Sequence, residues 1–264
     1  MRNLKLILSY DGSEFSGWQV QPDTATVQGT LALAIGRITG EKVLPQGSGR
    51  TDAGVHALAQ VASLVTESSV PTANFLKALN DILPAAVRVL EVTEAPAEFH
   101  ARHSARAKTY RYRIFRDSIC PPFLARYVWH FPYPLDEEAM GLAAGRVIGE
   151  HDFTSFAAVD AERGVEKSQN HKGHEGTRRN SQETSNVRRI FSSAWQRHGE
   201  ELEYTVRGSG FLHHMVRNLV GTFILVGKGT LGAEDVTRIL DACNRSAAGA
   251  TAPASGLFLV SVEY

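Results

Sequence analysis

Cysteine is scarce in this 264-residue chain, where Cys120 and Cys243 are the only two and stand far apart. Two distant thiols make neither a disulfide framework nor the close ligand pair of a zinc site, and both read as ordinary, partly buried side chains. Net charge is missing too: 28 basic residues balance 28 acidic ones. Total charge therefore says nothing about a polyanionic partner. No apolar run approaches the ~18 residues that a membrane span needs. The N-terminus enters a strand-like pattern directly, without the apolar core of a signal peptide. These absences predict a soluble, cytoplasmic protein with no membrane partner. What is present is a 43% hydrophobic content, ample for one large domain or two smaller ones sharing an interface.

Leu4, Leu6, Leu8 and Tyr10 alternate as in a half-buried strand. Thr26 is placed to cap a helix whose face carries Val27, Leu31, Ile35 and Ile38, and Gly40 stands where a helix-ending glycine belongs. A strand over 57–65, a helix from Thr72 to Leu83 stopped by Pro84, and a strand from Val87 to Val92 complete the first half. The second half repeats the rhythm. It offers a strand over Lys108–Phe115, a helix from Asp136 to about Ile148 and a hairpin of strands 187–197 and 201–207 through His198-Gly199. Helices over 211–226 and 234–243 and a last strand over 257–264 follow. Hairpins mixed with crossovers predict an α+β fold, a mostly antiparallel sheet flanked by helices. Two similar αβ halves, residues 1–104 and 105–264, are the expected organisation.

Residues 160–186 stand apart, polar and without apolar periodicity. A loop of that length is usually functional or disordered, and its composition predicts disorder. His171 and His174 lack Cys or Asp partners at ligand spacing, so no metal site is expected there.

Chemistry concentrates in three places. Gln46-Gly47-Ser48-Gly49-Arg50-Thr51-Asp52-Ala53-Gly54-Val55-His56 holds three glycines within eight positions. Such a run makes an exposed, sharply turned loop with Arg50 and Asp52 at its tip, or else a tight turn held by an Arg–Asp surface pair. Arg217 lies in a helical pattern apolar on most sides, where a guanidinium is costly unless a carboxylate meets it or it snorkels to solvent. An Asp52–Arg217 pair would satisfy both groups and keep the carboxylate ionised. His213 and His214, adjacent on that helix, would face different ways, make a poor metal pair and serve packing or polar contacts. Third, residues 101–116 carry Arg102, Arg106, Lys108, Arg111, Arg113 and Arg116 and no acid, a stripe suited to phosphates. Tyr110 and Tyr112 share one face of the strand there, Arg111 and Arg113 the other. Tyr110 suits stacking on a flipped-out base, or is a core tyrosine.

Together these elements resemble the TruA family of tRNA pseudouridine synthases over nearly the whole chain. The resemblance rests on Tyr10-Asp11-Gly12 with Phe15, Gly17, Trp18, Gln19 and Gln21, on Thr26-Val27-Gln28, and on the run Gly49 to Ala57. It continues in Phe99-His100-Ala101-Arg102, Ala107 to Tyr112, Gly210 to Asn218, and Ala252-Pro253-Ala254 with Gly256-Leu257. It implies that Asp52 is the catalytic aspartate and that Arg50 takes the place of the flipped base. It further implies that Tyr110 stacks on the uracil, Arg217 pairs with Asp52, and Leu257 forms the opposite pocket wall. The implied enzyme is a homodimer without cofactor, acting on uridines 38, 39 and 40 of the tRNA anticodon stem-loop.

The residue types agree with that chemistry. Moving uracil from an N-glycosidic to a carbon–carbon bond oxidises and hydrolyses nothing, so no metal or redox cofactor is required. A lone carboxylate can add to the sugar or abstract its 2′ proton on a glycal route, and both remain open here. A glycosidase would need two cooperating carboxylates. A catalytically silent RNA-binding protein on the same scaffold could dispense with Asp52 and Arg217 together. Ser48 stands where the family often has alanine, a change expected to have no consequence.

Overall fold

The computed structural model describes residues 1–158 and 185–264. The disorder expected over 160–186 lies outside these residues except at Ser185 and Asn186, and His171 and His174 lie outside them too.

The first half supplies β1 (Arg2–Tyr10), α1 (Val27–Thr39), β2 (Gln46–Gly47), β3 (His56–Thr66), α2 (Thr72–Ile82) and β4 (Val87–Ala95). The second supplies β5 (Ala107–Phe115), β6 (Trp129–His130), α3 (Glu137–Gly145), β7 (Gly149–Asp152), β8 (Val187–His198) and β9 (Glu201–Gly208). After these come α4 (Met215–Gly227), α5 (Asp235–Asp241) and β10 (Leu257–Glu263). All strands join one sheet in the order β4-β1-β3-β10-β5-β9-β8-β7, with β2 on β3 and β6 on β5. Pairing is antiparallel except at β10–β3 and β5–β6. The fold is α+β, as expected. The last strand, β10, lies between β3 and β5 and so stitches the early strands to the late ones.

Local signals set most boundaries. The Thr26 hydroxyl accepts from the Gly29 N–H, and Gly40 ends α1 in the left-handed region at φ 76°. Asp136 caps α3 through the Ala139 N–H at 2.9 Å, and Glu137 and Glu138 occupy its first turn. Leu83, extended before Pro84, stops α2. One helix differs from expectation. Residues 211–214 are not helical, because His214 takes φ 59° and the helix starts at Met215. Arg217 thus stands in the first turn of α4. The short strands β2, β6 and β7 are also unmarked in sequence, since two to four residues show no period.

Helices cover one face of the sheet. Leu4, Leu6 and Leu8 point into that core and are fully buried. On the later strands Trp195 and Tyr204 meet Phe223 of α4, with Tyr204–Phe223 ring centroids 5.3 Å apart. Alternation then places Lys108, Tyr110 and Tyr112 of β5 on the helix face, and Arg111 and Arg113 on the outer face.

Candidate active site

The loop joining β2 to β3 is built by close backbone approach. A Cβ at Gly12 would sit 2.0 Å from the Val55 carbonyl oxygen, so the chain after β1 reaches the loop only as glycine. A Cβ at Gly17, at φ 88°, would sit 2.6 Å from the Thr51 carbonyl oxygen, which accepts from the Trp18 N–H at 3.0 Å. The Tyr10 hydroxyl bonds Thr51 Oγ1 at 2.8 Å. Gln60 Nε2 donates to the Gly49 carbonyl at 3.0 Å, and Lys108 Nζ donates to the Ser48 carbonyl at 2.6 Å. These supports were not legible in sequence, because they depend on how separate elements pack around the loop. Ser48 is a correction: its buried hydroxyl donates to Gln60 Oε1 at 2.6 Å and so has a task that alanine lacks.

His56 closes the loop. Burial, the largest cause, pushes its pKa below 6.5 against the opposing pull of Asp11. The neutral ring accepts from the Gly12 N–H at Nδ1 (3.1 Å), which leaves Nε2–H to donate to the Arg126 carbonyl (3.1 Å). That tautomer makes the 3.2 Å approach of Asp11 to Nδ1 a contact rather than an ion pair.

Asp52 is turned inward, its side chain 17% exposed, whereas Arg50 is exposed. No surface pair joins the two. Instead Arg217 NH1 donates to Asp52 Oδ2 at 3.0 Å, and Arg217 Nε donates to the Ala252 carbonyl at 2.7 Å. The guanidinium is thus held by one carboxylate and one carbonyl, and its side chain is 15% exposed. The different facing expected of His213 and His214 is a further correction, while the polar contacts expected of them are present. Off the helix, their rings lie 4.0 Å apart and both turn onto Asp52. His213 Nε2 is 3.4 Å from Oδ1, and His214 Nε2 is 3.4 Å from Oδ2. Burial, followed by the pull of Asp52 in the other direction and the repulsion of His213, Arg217 and Arg245, leaves His214 below 6.5. Ligand atoms of Asp52, His213 and His214 lie within 4.8 Å of one another, close enough to hold a metal ion. Arg217 already neutralises that carboxylate and would compete with a cation.

Tyr110 is buried beside this group, its ring edge-on to Phe211 with centroids 5.0 Å apart. Burial, then the charge of Tyr10 and of Asp52, raises its hydroxyl pKa. Leu257 is buried and opens β10 opposite Tyr112, and Leu259 is the residue paired with Tyr110. Leu257 follows the stretch that brings Ala252 to Arg217 and Ala254 to Gly54.

The basic stripe divides. Arg113 makes a two-toothed pair with Glu201, both bonds 2.8 Å, and Arg111 NH1 lies 3.6 Å from Glu203. Both arginines lie on the outer face, away from Asp52, with their charge met by β9. Lys108 stays on the Asp52 face. Its pKa is lowered to about 8 by burial and then by Arg102 and Arg188. Arg50 and Arg102 line one cavity of about 210 Å³ with Trp18, Gln19 and His100. Arg106 is exposed.

A single carboxylate is thus clamped by a guanidinium and flanked by imidazoles and a buried tyrosine. A family profile described as tRNA pseudouridine synthase matches residues 6–104 and 143–264. The chain is 50% identical over 264 residues to tRNA pseudouridine synthase A of Solibacter usitatus, covering all of both chains. It is 42% identical to the protein of that name from Brevibacillus brevis and 40% identical to that from Caldicellulosiruptor bescii, again with full coverage of each. This chain belongs to the tRNA pseudouridine synthase family, a family of isomerases.

Proposed function

We propose that this tRNA pseudouridine synthase acts on uridines 38, 39 and 40 of the anticodon stem-loop, with Asp52 as its nucleophile. The observation that carries the reading is the Asp52 carboxylate held by Arg217 at 3.0 Å in a largely enclosed site. Arg217 fixes one oxygen, and the other is available to attack C1′ as the N-glycosidic bond breaks. The glycal route, in which the carboxylate takes the 2′ proton, uses the same placement. Tyr110 stacks on the freed uracil while Leu257 forms the far wall, and together they keep water from the intermediate. Arg50, exposed at the loop, fills the position left by the flipped base. Arg102, Arg106 and Lys108 meet RNA phosphates.

The halves 1–104 and 105–264 share the site, the first giving Asp52 and the second Tyr110 and Arg217. The enzyme works in the cytoplasm as a homodimer, and its own residues carry the reaction without a cofactor. The membrane has no part in this reading, and among the described residues no helix is long and apolar enough to cross one.

The test is pseudouridine formation by purified Asp52→Ala on tRNA carrying uridine at 38, 39 and 40. No product is expected, with fold and tRNA affinity nearly unchanged. Activity within tenfold of wild type would refute the mechanism. Mapping pseudouridine in tRNA from cells lacking the protein tests the positions separately.

A further inference from the structure

Arg217 reaches Asp52 with one end of its guanidinium and needs a second anchor to hold that aim. The anchor is the Ala252 carbonyl, which accepts from Arg217 Nε at 2.7 Å. A backbone carbonyl positions a side chain only as well as its own segment is held. Here the segment is a strap of irregular backbone, residues 248–252, laid across α4 on the way to β10.

The strap meets the helix through backbone groups on both sides of Thr251. A Cβ at Gly221 would overlap the Ala250 carbonyl oxygen, so the two chains come this close only because α4 carries a glycine there. The Gly249 N–H donates to Thr222 Oγ1 at 2.9 Å, and the Ala252 N–H donates to the Arg217 carbonyl at 3.2 Å. Thr251 is fixed through its side chain, whose hydroxyl donates to Asn218 Oδ1 at 2.7 Å. Asn218 directly follows Arg217, is fully buried, and donates from Nδ2 to the Phe156 carbonyl at 2.7 Å.

We infer that Arg245 is a positioning residue for catalysis, locking this strap to the start of α4 and so fixing the carbonyl that aims Arg217 at Asp52. This rests on Asp52 as the nucleophile proposed above. Arg245 NH1 donates to the Ala248 and Gly249 carbonyls at 3.3 and 3.0 Å. Its NH2 donates to Asn218 Oδ1 at 3.1 Å and to Thr251 Oγ1 at 3.3 Å. One planar fork therefore grips the strap at three residues and the helix at a fourth. Arg245 is itself well founded, since the N–H of the preceding Asn244 donates to the buried Ser155 Oγ at 2.8 Å. Lysine carries its three donors on a single nitrogen and cannot span acceptors spread over strap and helix.

Removing the fork leaves the backbone contacts at Gly221, Thr222 and Arg217 in place, so the strap stays on the helix and the fold survives. What is lost is the setting of Thr251, and with it the direction of the next carbonyl, Ala252. Arg217 then keeps Asp52 as a partner without a fixed second anchor. A misplacement of about 1 Å in catalytic geometry costs up to ~10²-fold in rate. The four bonds of Arg245 are all internal, so tRNA affinity is expected to hold.

The experiment measures single-turnover pseudouridine formation at saturating enzyme, and tRNA affinity separately. It compares wild type with Arg245→Lys, Thr251→Val and Thr251→Ser, each at a temperature where it is folded. Arg245→Lys and Thr251→Val are expected to slow the reaction ~10-fold or more, with tRNA affinity within about twofold of wild type. Thr251→Ser keeps the hydroxyl and is expected to react within about threefold of the wild-type rate. A wild-type rate in Arg245→Lys would mean that charge alone suffices, and overturns the proposal. So does a wild-type rate in Thr251→Val, a loss of affinity with the rate preserved, or a Thr251→Ser enzyme as slow as Thr251→Val. If Arg245→Lys does not fold, the contrast between Thr251→Val and Thr251→Ser decides by itself. Failure of the nucleophile assignment shows separately, as an active Asp52→Ala enzyme.

Discussion

Strand β5 carries cations on both of its faces, and their surroundings differ. On the outer face Arg111 and Arg113 meet Glu203 and Glu201 of β9. On the helix face Lys108 meets a backbone carbonyl of the Asp52 loop, and Tyr110 lies beside Asp52. A run of cations without a local acid suggests phosphates, but half of such a run points through the sheet to whatever the neighbouring strand offers. Local charge density is thus a weaker guide than the pleat combined with register.

The comparison is sharpest at Arg217, which serves the helix-covered face as Arg113 serves the outer one. Arg217→Met should lower pseudouridine formation by orders of magnitude and destabilise the fold by ~3 kcal/mol, since it leaves Asp52 unpaired in an enclosed site. Denaturant unfolding of Arg217→Met, Asp52→Leu and the double variant measures the coupling. Strictly additive effects would break the pairing.

Arg113→Gln should cost ~1–2 kcal/mol of stability by stranding Glu201. The salt dependence of tRNA binding should not change, and a flatter dependence would show that the outer face also meets RNA.

Lys108→Gln should instead change the salt dependence, and it also removes the bond to the Ser48 carbonyl. The slope of log affinity against log salt should fall by up to ~0.9 for one lost phosphate contact. Because Lys108 titrates at about 8, its positive charge is present below that value and lost above it. Wild-type tRNA binding should therefore weaken between pH 7 and 9, and Lys108→Gln should lose that component. A variant with the wild-type pH profile would separate the lysine from the RNA.

Ser48→Ala carries the smallest effect. Removing the hydroxyl donor from Gln60 Oε1 should cost ~1 kcal/mol in thermal or denaturant unfolding, with tRNA affinity preserved. No change at all would return Ser48 to the neutral role that the sequence suggested.

Much of the fold was legible because its signals are local. Thr26, Gly40, Asp136 and Pro84 act within one helical turn, and the alternation from Leu4 to Tyr10 needs only the pleat. The centre was partly legible for a different reason: a guanidinium in an apolar stretch needs a carboxylate or a path to solvent, and Asp52 stood in a loop rich in glycine. The helix at 211–226 was misplaced because its apolar pattern runs on through Phe211 and Leu212. Propensity does not reveal that His214 takes a left-handed backbone.

By itself, then, the sequence determined most helices and the long strands, the α+β class, the glycine-built loop and Asp52 as a candidate partner for Arg217. Each follows from backbone sterics or from the cost of desolvating charge. Only the tertiary structure decided that Gly12 and Gly17 press on the carbonyls of that loop, and that Glu201 and Glu203 claim Arg113 and Arg111. It also decided that His213 and His214 converge on Asp52. These depend on strand register and on a single backbone reversal, and both are set by contacts between residues far apart in the chain.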